Sequence, residues 1–540
     1  MKKFLLFISI FFFNLGFAQE DAWVYFTDKP DANFYLANPL QMLSQRALDR
    51  RTNQGIALDN TDVPISTNYI NQISASSGIT VMAKSKWLNA LHIRGSITDI
   101  QALTNFTFVD HIIYANHSLN VRIGNPITSE THKNQKVKNK FETEVNYNYG
   151  NSANQVEMLN VHLLHQQNFT GQGKIIAVLD SGFIGVDTAV PFQNLLTNNQ
   201  ILGGYNFPDQ STNFYTKHNH GTMVLSCMGG FVDGQLVGTA PDAQYYLFIT
   251  EDVNSENPVE ESYWVEAAER ADSLGVDIIN SSLGYSDYDE PNYSYSYAQR
   301  NGQVGFASRG ASMAFQKGIV CVVSAGNEGS TSEPHIGIPA DAENILTVGA
   351  VDNNENYVSF SSIGTTADGR IKPDVCAKGL QATLSNTTGS ITTASGTSFS
   401  SPITAGAVAS FWSAVPSLTA AQVIQFVKQS ADQFSTPDNL KGYGVPNFQL
   451  ALTNALNTQS FENFKGLMVY PNPVESNLTL KIEDNSNGIF TLYNQLGQKV
   501  LHREFSNSIE NIDVLHLQSG IYYYDFSSNS SNLQGKLIKK

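Results

Sequence analysis

A chain of 540 residues is too long for one hydrophobic core, and its length points to three or four domains. With 41% hydrophobic and 15% charged residues it is globular rather than disordered. A net charge of −16 and a pI near 5.1 argue against nucleic acid and against anionic membrane surfaces as partners.

Lys2 and Lys3 precede the apolar run Phe4 to Phe13, and Gly16-Phe17-Ala18 offers small residues for cleavage before Gln19. Residues 1–18 are therefore expected to be a secretory signal, the run being shorter than the roughly 20 residues of a membrane span. No later segment is apolar enough to cross a bilayer, so an exported, soluble chain is expected. The three cysteines, Cys227, Cys321 and Cys376, have no paired spacing and give neither a disulfide framework nor a zinc signature.

Residues 19–120 alternate between strand and helix. Strands are expected at Trp23–Phe26, Ile79–Met82, Leu88–Ile93 and Phe108–Ile113. Helices are expected at Pro39–Arg51, Tyr69–Ile73 and Ile97–Leu103, which together make a small α+β domain. Residues 121–154 are polar and read as a linker and processing region.

Over 155–457 the apolar runs lengthen: Ile175–Leu179, Tyr245–Ile249, Val276–Asn280, Ile319–Val323 and Ile345–Val348, with helical segments between. Continuous apolar strands separated by helices predict a parallel sheet covered on both faces. Ligands of such sheets bind beyond the carboxyl ends of the strands. Residues 464–540 change again, to short alternating strands such as Leu478–Ile482, Ile489–Tyr493 and Ile521–Phe526, with turn residues at Asn485–Gly488 and Gly497. A small β-sandwich is expected there.

One stretch organises the chain: Thr393-Ala-Ser-Gly-Thr-Ser-Phe-Ser-Ser-Pro402, running into Ala405-Gly-Ala407. Gly396 permits a tight turn, Ser398 falls where a buried helix should begin, and Pro402 is expected in its first turn. Alone, Ser398 reads as an N-cap serine. Three other signals alter that reading. Asp180 ends the first apolar strand, His220 precedes the helical pattern Val224–Gly229, and Asn327 follows the fourth strand. Each has an ordinary structural explanation by itself. Together they set an acid, a base, an amide donor and a hydroxyl at one rim. A serine hydroxyl becomes a nucleophile when a base takes its proton; His220 would be that base, oriented by Asp180. The Asn327 amide and the Ser398 N–H would hold the oxyanion.

These four segments resemble the signature blocks of the subtilisin-like serine proteases, in their order Asp, His, Asn, Ser. Gly238-Thr-Ala-Pro-Asp242, Gly275–Gly284 and Lys372-Pro-Asp-Val375 match further blocks. Met223 stands where many members carry a second histidine, Phe399-Ser400 replaces the commoner Met-Ala, and Cys376 replaces a serine. The resemblance implies an α/β fold, with a three-layer catalytic domain around a mainly parallel sheet. It also implies substrate binding between Ser282-Leu283-Gly284 and Ala325–Asn327, with Gly337 at the pocket base if Pro339 aligns with the family's proline. Large apolar residues before the scissile bond would fit, and Glu328 at the rim would admit lysine or arginine as a secondary choice.

No cofactor is required by this chemistry. Calcium sites are common in the family, and the loop Glu251–Glu256 offers carboxylates for one, a solvated loop being the simpler reading. The tail's Val469-Tyr-Pro-Asn-Pro473, Leu496-Gly497 and Lys536-Leu-Ile538 resemble the C-terminal sorting domain of the type IX secretion system of Bacteroidetes. A carbohydrate-binding sandwich is the alternative. The N-terminal domain sits where such zymogens carry an inhibitory chaperone propeptide. The expected protein is a monomeric endopeptidase of polypeptide substrates, exported through the periplasm to the surface or medium. Its rivals are a catalytically dead peptide binder and an adhesin carried by the tail.

Overall fold

In the computed structural model, residues 19–120, 146–462, 467–470, 472–481, 488–505, 509–528 and 532–540 are described. The expected signal, residues 121–145 of the expected linker over 121–154, residues 464–466 and 482, and the turn at 485–487 lie outside them. Seven strands, all paired in parallel, form the central sheet. Their order is Val375–Lys378, Leu346–Val351, Val320–Ser324, Ile278–Ser281, Ile175–Asp180, Gln244–Ile249 and Ile201–Asn206.

The five strands expected from the sequence are the inner five, whose two covered faces demand apolar side chains throughout. The two edge strands escaped notice. Ile201–Asn206 carries Gly203 and Gly204 and is mostly half-buried, while Val375–Lys378 is short and ends in a lysine. Alternate residues of the first strand, Ile175, Ala177 and Leu179, pack towards the helices Val259–Leu274 and Phe306–Gln316. The opposite face receives the helix Thr397–Ala414, which is buried along almost its whole length. Gly406 lets that helix approach closely: a Cβ there would lie 2.1 Å from Thr239 Oγ1.

The N-terminal domain is a four-stranded antiparallel sheet in the order Thr80–Ser85, Ala90–Gly95, Glu20–Phe26 and Val109–Tyr114. Its first strand alternates between two cores. Ala22, Val24 and Phe26 join Ile73 and Ile100 from the domain's own helices. Trp23 and Tyr25 instead face the helices Val259–Leu274 and Phe306–Gln316, with Trp23 stacked on Phe306 at 5.1 Å.

The single helix expected over Pro39–Arg51 is broken. A 3₁₀ turn covers Pro39–Gln41, and Ser44 caps a separate helix, Gln45–Asn53, by accepting from the Ala47 N–H at 3.2 Å. This arm lies against two helix ends of the domain that carries the seven-stranded sheet. Arg46 donates to the Gly275 carbonyl at 3.0 Å, Arg50 to those of Val276 and Lys317, and Gln54 to that of Gly318 at 2.8 Å. Helix C-termini leave carbonyls without partners, and the arm supplies donors for the chain just past two of them.

Beneath these contacts Asp272 is fully buried, with Arg51 at 2.8 Å and Arg50 also bonded to it. Burial alone would raise the Asp272 carboxyl, but the two guanidinium groups hold it below its ordinary value. Removing one partner of a buried pair leaves an uncompensated charge. Asp272→Ala in the full chain carrying Ser398→Ala should therefore lower its unfolding free energy by about 3–5 kcal/mol in urea. A change below about 1 kcal/mol would mean that water replaces the lost carboxylate.

The C-terminal unit, taken by itself, is antiparallel throughout. A three-stranded sheet and a four-stranded sheet share one core that includes Leu478, Leu480, Phe490, Leu492, Tyr524 and Leu537. Among the described residues no helix is long and apolar enough to cross a membrane. The three cysteines are free and buried, and burial pushes the Cys227 and Cys376 thiols up to about 12.

Candidate active site

Asp180 is the last residue of its strand and is fully buried. Its Oδ1 accepts from the Ser181 N–H at 2.7 Å, from Ser181 Oγ at 3.2 Å and from His220 Nδ1 at 2.8 Å. His220 opens the helix His220–Gly229 rather than preceding a shorter one. Gly221 permits this closeness, since a Cβ there would lie 2.5 Å from the Gly182 carbonyl. Burial, the largest influence on His220, pulls its pKa down. The Asp180 charge and hydrogen bond, together with the charge of Glu251, outweigh it and leave the imidazole above its ordinary value. His218, two residues earlier, reaches Ser181 Oγ at 3.3 Å, a link the sequence analysis missed although the spacing puts both histidines beside one turn.

The helix bearing Ser398 starts at Thr397 with Gly396 as its N-cap, so Ser398 is its second residue and Pro402 its sixth. Ser398 thus lies where the buried helix begins, without capping it, and the expectation that Pro402 lies in the first turn is corrected. The start is fixed by a contact distant in sequence: Asn327 Oδ1 accepts from the Thr397 N–H at 2.9 Å and from Thr397 Oγ1 at 3.1 Å. Pro402 has no N–H to give the Ser398 carbonyl. Ser282 Oγ donates to that carbonyl instead, at 2.9 Å. Ser398 Oγ itself donates to the Ser282 carbonyl at 3.5 Å, and among the described residues it has no hydrogen bond to His220. The two residues are nonetheless neighbours, the Phe399 ring lying 5.9 Å from the His220 imidazole.

With Asn327 Oδ1 engaged by Thr397, its Nδ2 is the donor left at the mouth of the helix. Gly326 has φ +107°, and a Cβ there would fall 2.3 Å from Glu328 Oε2, so glycine is needed just before the amide. Glu328 is not a bare rim charge, because Ser362 Oγ donates to its carboxylate at 2.7 Å.

Ser282, Leu283 and Gly284 continue past the end of the strand Ile278–Ser281, and the Tyr285 N–H donates to the Ile338 carbonyl at 2.7 Å. Ile336 and Ile338 are fully buried in the core, while Gly337 between them is half-buried and faces away. A Cβ on Gly337 would meet Ser286 Oγ at 2.8 Å. Asn280 and Ser401, both passed over in the sequence, tie strand to helix: Ser401 Oγ donates to Asn280 Oδ1 at 3.0 Å.

Two of the acidic loop's carboxylates meet protein donors. Glu251 accepts from Thr250 and Tyr285, and Asp252 from Asn254. No group of three or more His, Cys, Asp and Glu side chains that could hold a metal ion occurs among the described residues.

The chain is similar to three known families along its length. Residues 171–444 match the Subtilase family, residues 21–138 the Peptidase S8 propeptide domain of Bacteroidota, and residues 468–540 the secretion system C-terminal sorting domain. Subtilisin DY of Bacillus licheniformis is 29% identical over 270 residues, covering 50% of this chain and 87% of that protein. A subtilisin of Bacillus pumilus is 30% identical over 303 residues, covering 55% of this chain and 97% of that protein. The serine protease AprX of Bacillus subtilis is 30% identical over 313 residues, covering 52% and 66%.

Proposed function

The chain belongs to the subtilase family, as a serine endopeptidase with a secretion-sorting domain that directs it to the cell surface or the medium, and from that premise we propose that Asp180, His220 and Ser398 are its catalytic triad. The observation that carries this reading is the 2.8 Å Asp180–His220 pair beside a serine at a helix mouth, opposite a free Asn327 amide N–H. Ser398 Oγ turns from the Ser282 carbonyl to His220 Nε2 when substrate binds; catalytic hydrogen bonds often tighten only in that complex. His220 takes the hydroxyl proton as Oγ attacks the scissile carbonyl, and Asp180 stabilises the imidazolium. Asn327 Nδ2 and the Ser398 N–H receive the oxyanion. His220 then protonates the leaving amine, and water repeats the sequence on the acyl-enzyme.

Side chains and one backbone N–H supply acid, base and oxyanion donors, so the chemistry asks for no cofactor. The enzyme acts as a monomer after passage through the periplasm. Its pocket lies between Ser282–Gly284 and Ala325–Asn327 over Gly337. Gly337 brings no side chain of its own between two inward isoleucines, and Leu283 offers an apolar side. Each added methylene is worth only about 1–3 kcal/mol, so selectivity should be broad.

A fluorophosphonate probe is expected to label the wild type and not Ser398→Ala; an unlabelled wild type would mark a dead peptide binder. A peptide library should favour Phe, Tyr, Leu or Met before the scissile bond. Strict preference for Ala or Gly would show that Gly337 is not the floor.

A further inference from the structure

A second carboxylate stands near the Asp180–His220 pair, close enough for its charge to act on both, and the reaction does not consume it. Glu251 follows the strand Gln244–Ile249, whose register sets Ile249 beside Asp180, and the Thr250 N–H donates to the Asp180 carbonyl at 3.0 Å. Glu251 is 9% exposed. Its Oε1 accepts from Thr250 Oγ1 at 2.8 Å and from the Tyr285 hydroxyl at 2.6 Å. Tyr285, 1% exposed, directly follows Gly284 and is bonded through its backbone to Ile338, next to Gly337. One carboxylate thus touches both the edge that carries the acid and base and the strand that would hold substrate.

The titratable groups around it are all acidic or neutral apart from the imidazole. Asp180 faces it from the sheet, His220 from the helix His220–Gly229, Glu256 from its own loop, Glu260 from the helix Val259–Leu274, and Tyr285 from the substrate strand. Burial raises the Glu251 carboxyl to about 7, with the Tyr285 and Thr250 hydrogen bonds opposing and the Glu256 and Asp180 charges adding to the rise.

We propose that Glu251 is a positioning residue of this protease, setting the protonation of His220 through its charge and bracing the substrate strand through Tyr285. The proposal rests on the triad reading of Asp180, His220 and Ser398. An ionised Glu251 favours the imidazolium, so His220 then yields its base form only at higher pH. A protonated Glu251 relaxes that demand. Two sites that oppose each other's protonation titrate over a wider span than one site alone. The acid limb of kcat/KM should therefore be drawn out, and activity should fade gradually as pH drops.

The test is kcat/KM from pH 5 to 9 on the processed full-length product, for wild type, Glu251→Gln and Tyr285→Phe. Glutamine keeps the shape and can still accept from Tyr285 but removes the charge. Glu251→Gln should move the acid limb to lower pH and steepen it to a single ionisation. Its activity near pH 7, relative to its own alkaline plateau, should rise about twofold over wild type, the two converging by pH 5.5, where the wild-type carboxyl is itself protonated. Tyr285→Phe removes a donor that favours the charged carboxylate, so it should move the limb the same way by less, and it carries the test if the glutamine variant does not fold. A purely structural Glu251 would alter stability and leave the limb in place. An unmoved limb in both variants, or a shift to higher pH in either, overturns the proposal while the triad reading stands, provided wild type is active and Ser398→Ala is not. An inactive wild type would instead remove the triad reading.

Discussion

Ser398→Ala and His220→Ala should each lower kcat on a chromogenic peptide by about 10⁶-fold, the size of loss found for the same roles in subtilisin. The folded chain should survive, since among the described residues Ser398 Oγ makes only the long 3.5 Å contact to Ser282 and the His220 side chain is hydrogen-bonded to Asp180 alone. Asn327 predicts a smaller and more specific loss. Removing one oxyanion donor costs about 10²–10³ in kcat with KM nearly unchanged, because that bond is made mainly in the transition state. Asn327 Oδ1 also fixes the start of the helix at Thr397, so the neutral variants Asn327→Ala and Asn327→Leu are read only after their folding is checked by circular dichroism. Steady-state kinetics decide the matter. A loss under tenfold at Asn327 would mean that another group holds the oxyanion.

The second large effect is on processing, which should be all or none. If maturation is autocatalytic, purified Ser398→Ala should remain one chain from Gln19 onward, while wild type should separate into an N-terminal piece and a catalytic piece. The interface explains why cleavage alone need not free the N-terminal domain. Trp23 Nε1 and His92 Nδ1 both meet Ser262 Oγ at 2.8 Å, and Glu269 accepts from Ser85 Oγ and from the N–H groups of Lys86 and Trp87. Intact-mass analysis of both proteins, made in a host without other proteases, gives the outcome directly. A cut Ser398→Ala chain would show that a second protease performs the step.

Where the candidate residues lie in the fold was legible because they sit at the ends of strands. Asp180 closes one apolar run and Asn327 follows another, so the sheet's own pattern pointed to both. The edge strands were not legible: Gly203 and Gly204 dilute one, and four residues ending in Lys378 are too few to stand out in the other. The Pro39–Arg51 stretch carries enough helix-forming residues to suggest one element, yet Pro39 and Ser44 each start a new one. Taken alone, the local cap signal at Ser398 falls two residues past the true cap, Gly396. Ser398 is a good cap by composition, but the bond from the Thr397 N–H to Asn327, 70 residues away, moves the helix start. No window of local sequence contains that contact. The role of Glu251 was hidden for a related reason. An acidic loop reads as solvated or metal-binding, and only the approach of Thr250 to Asp180 and of Tyr285 to Glu251 turns it inward.

The arginine arm has a further consequence, in time rather than in structure. While the N-terminal domain is in place, Arg46, Arg50 and Gln54 occupy carbonyls at two helix ends, and Asp272 has its counter-charges. Once that domain departs, water must serve those carbonyls and a buried carboxylate must find new company. The catalytic domain then keeps a shape assembled with help it no longer has. Its durability is governed by the height of the barrier to unfolding rather than by the depth of an equilibrium. The fitting measure for the matured enzyme is a half-life at a stated temperature, and a scan-rate-dependent melting curve is the signature to look for.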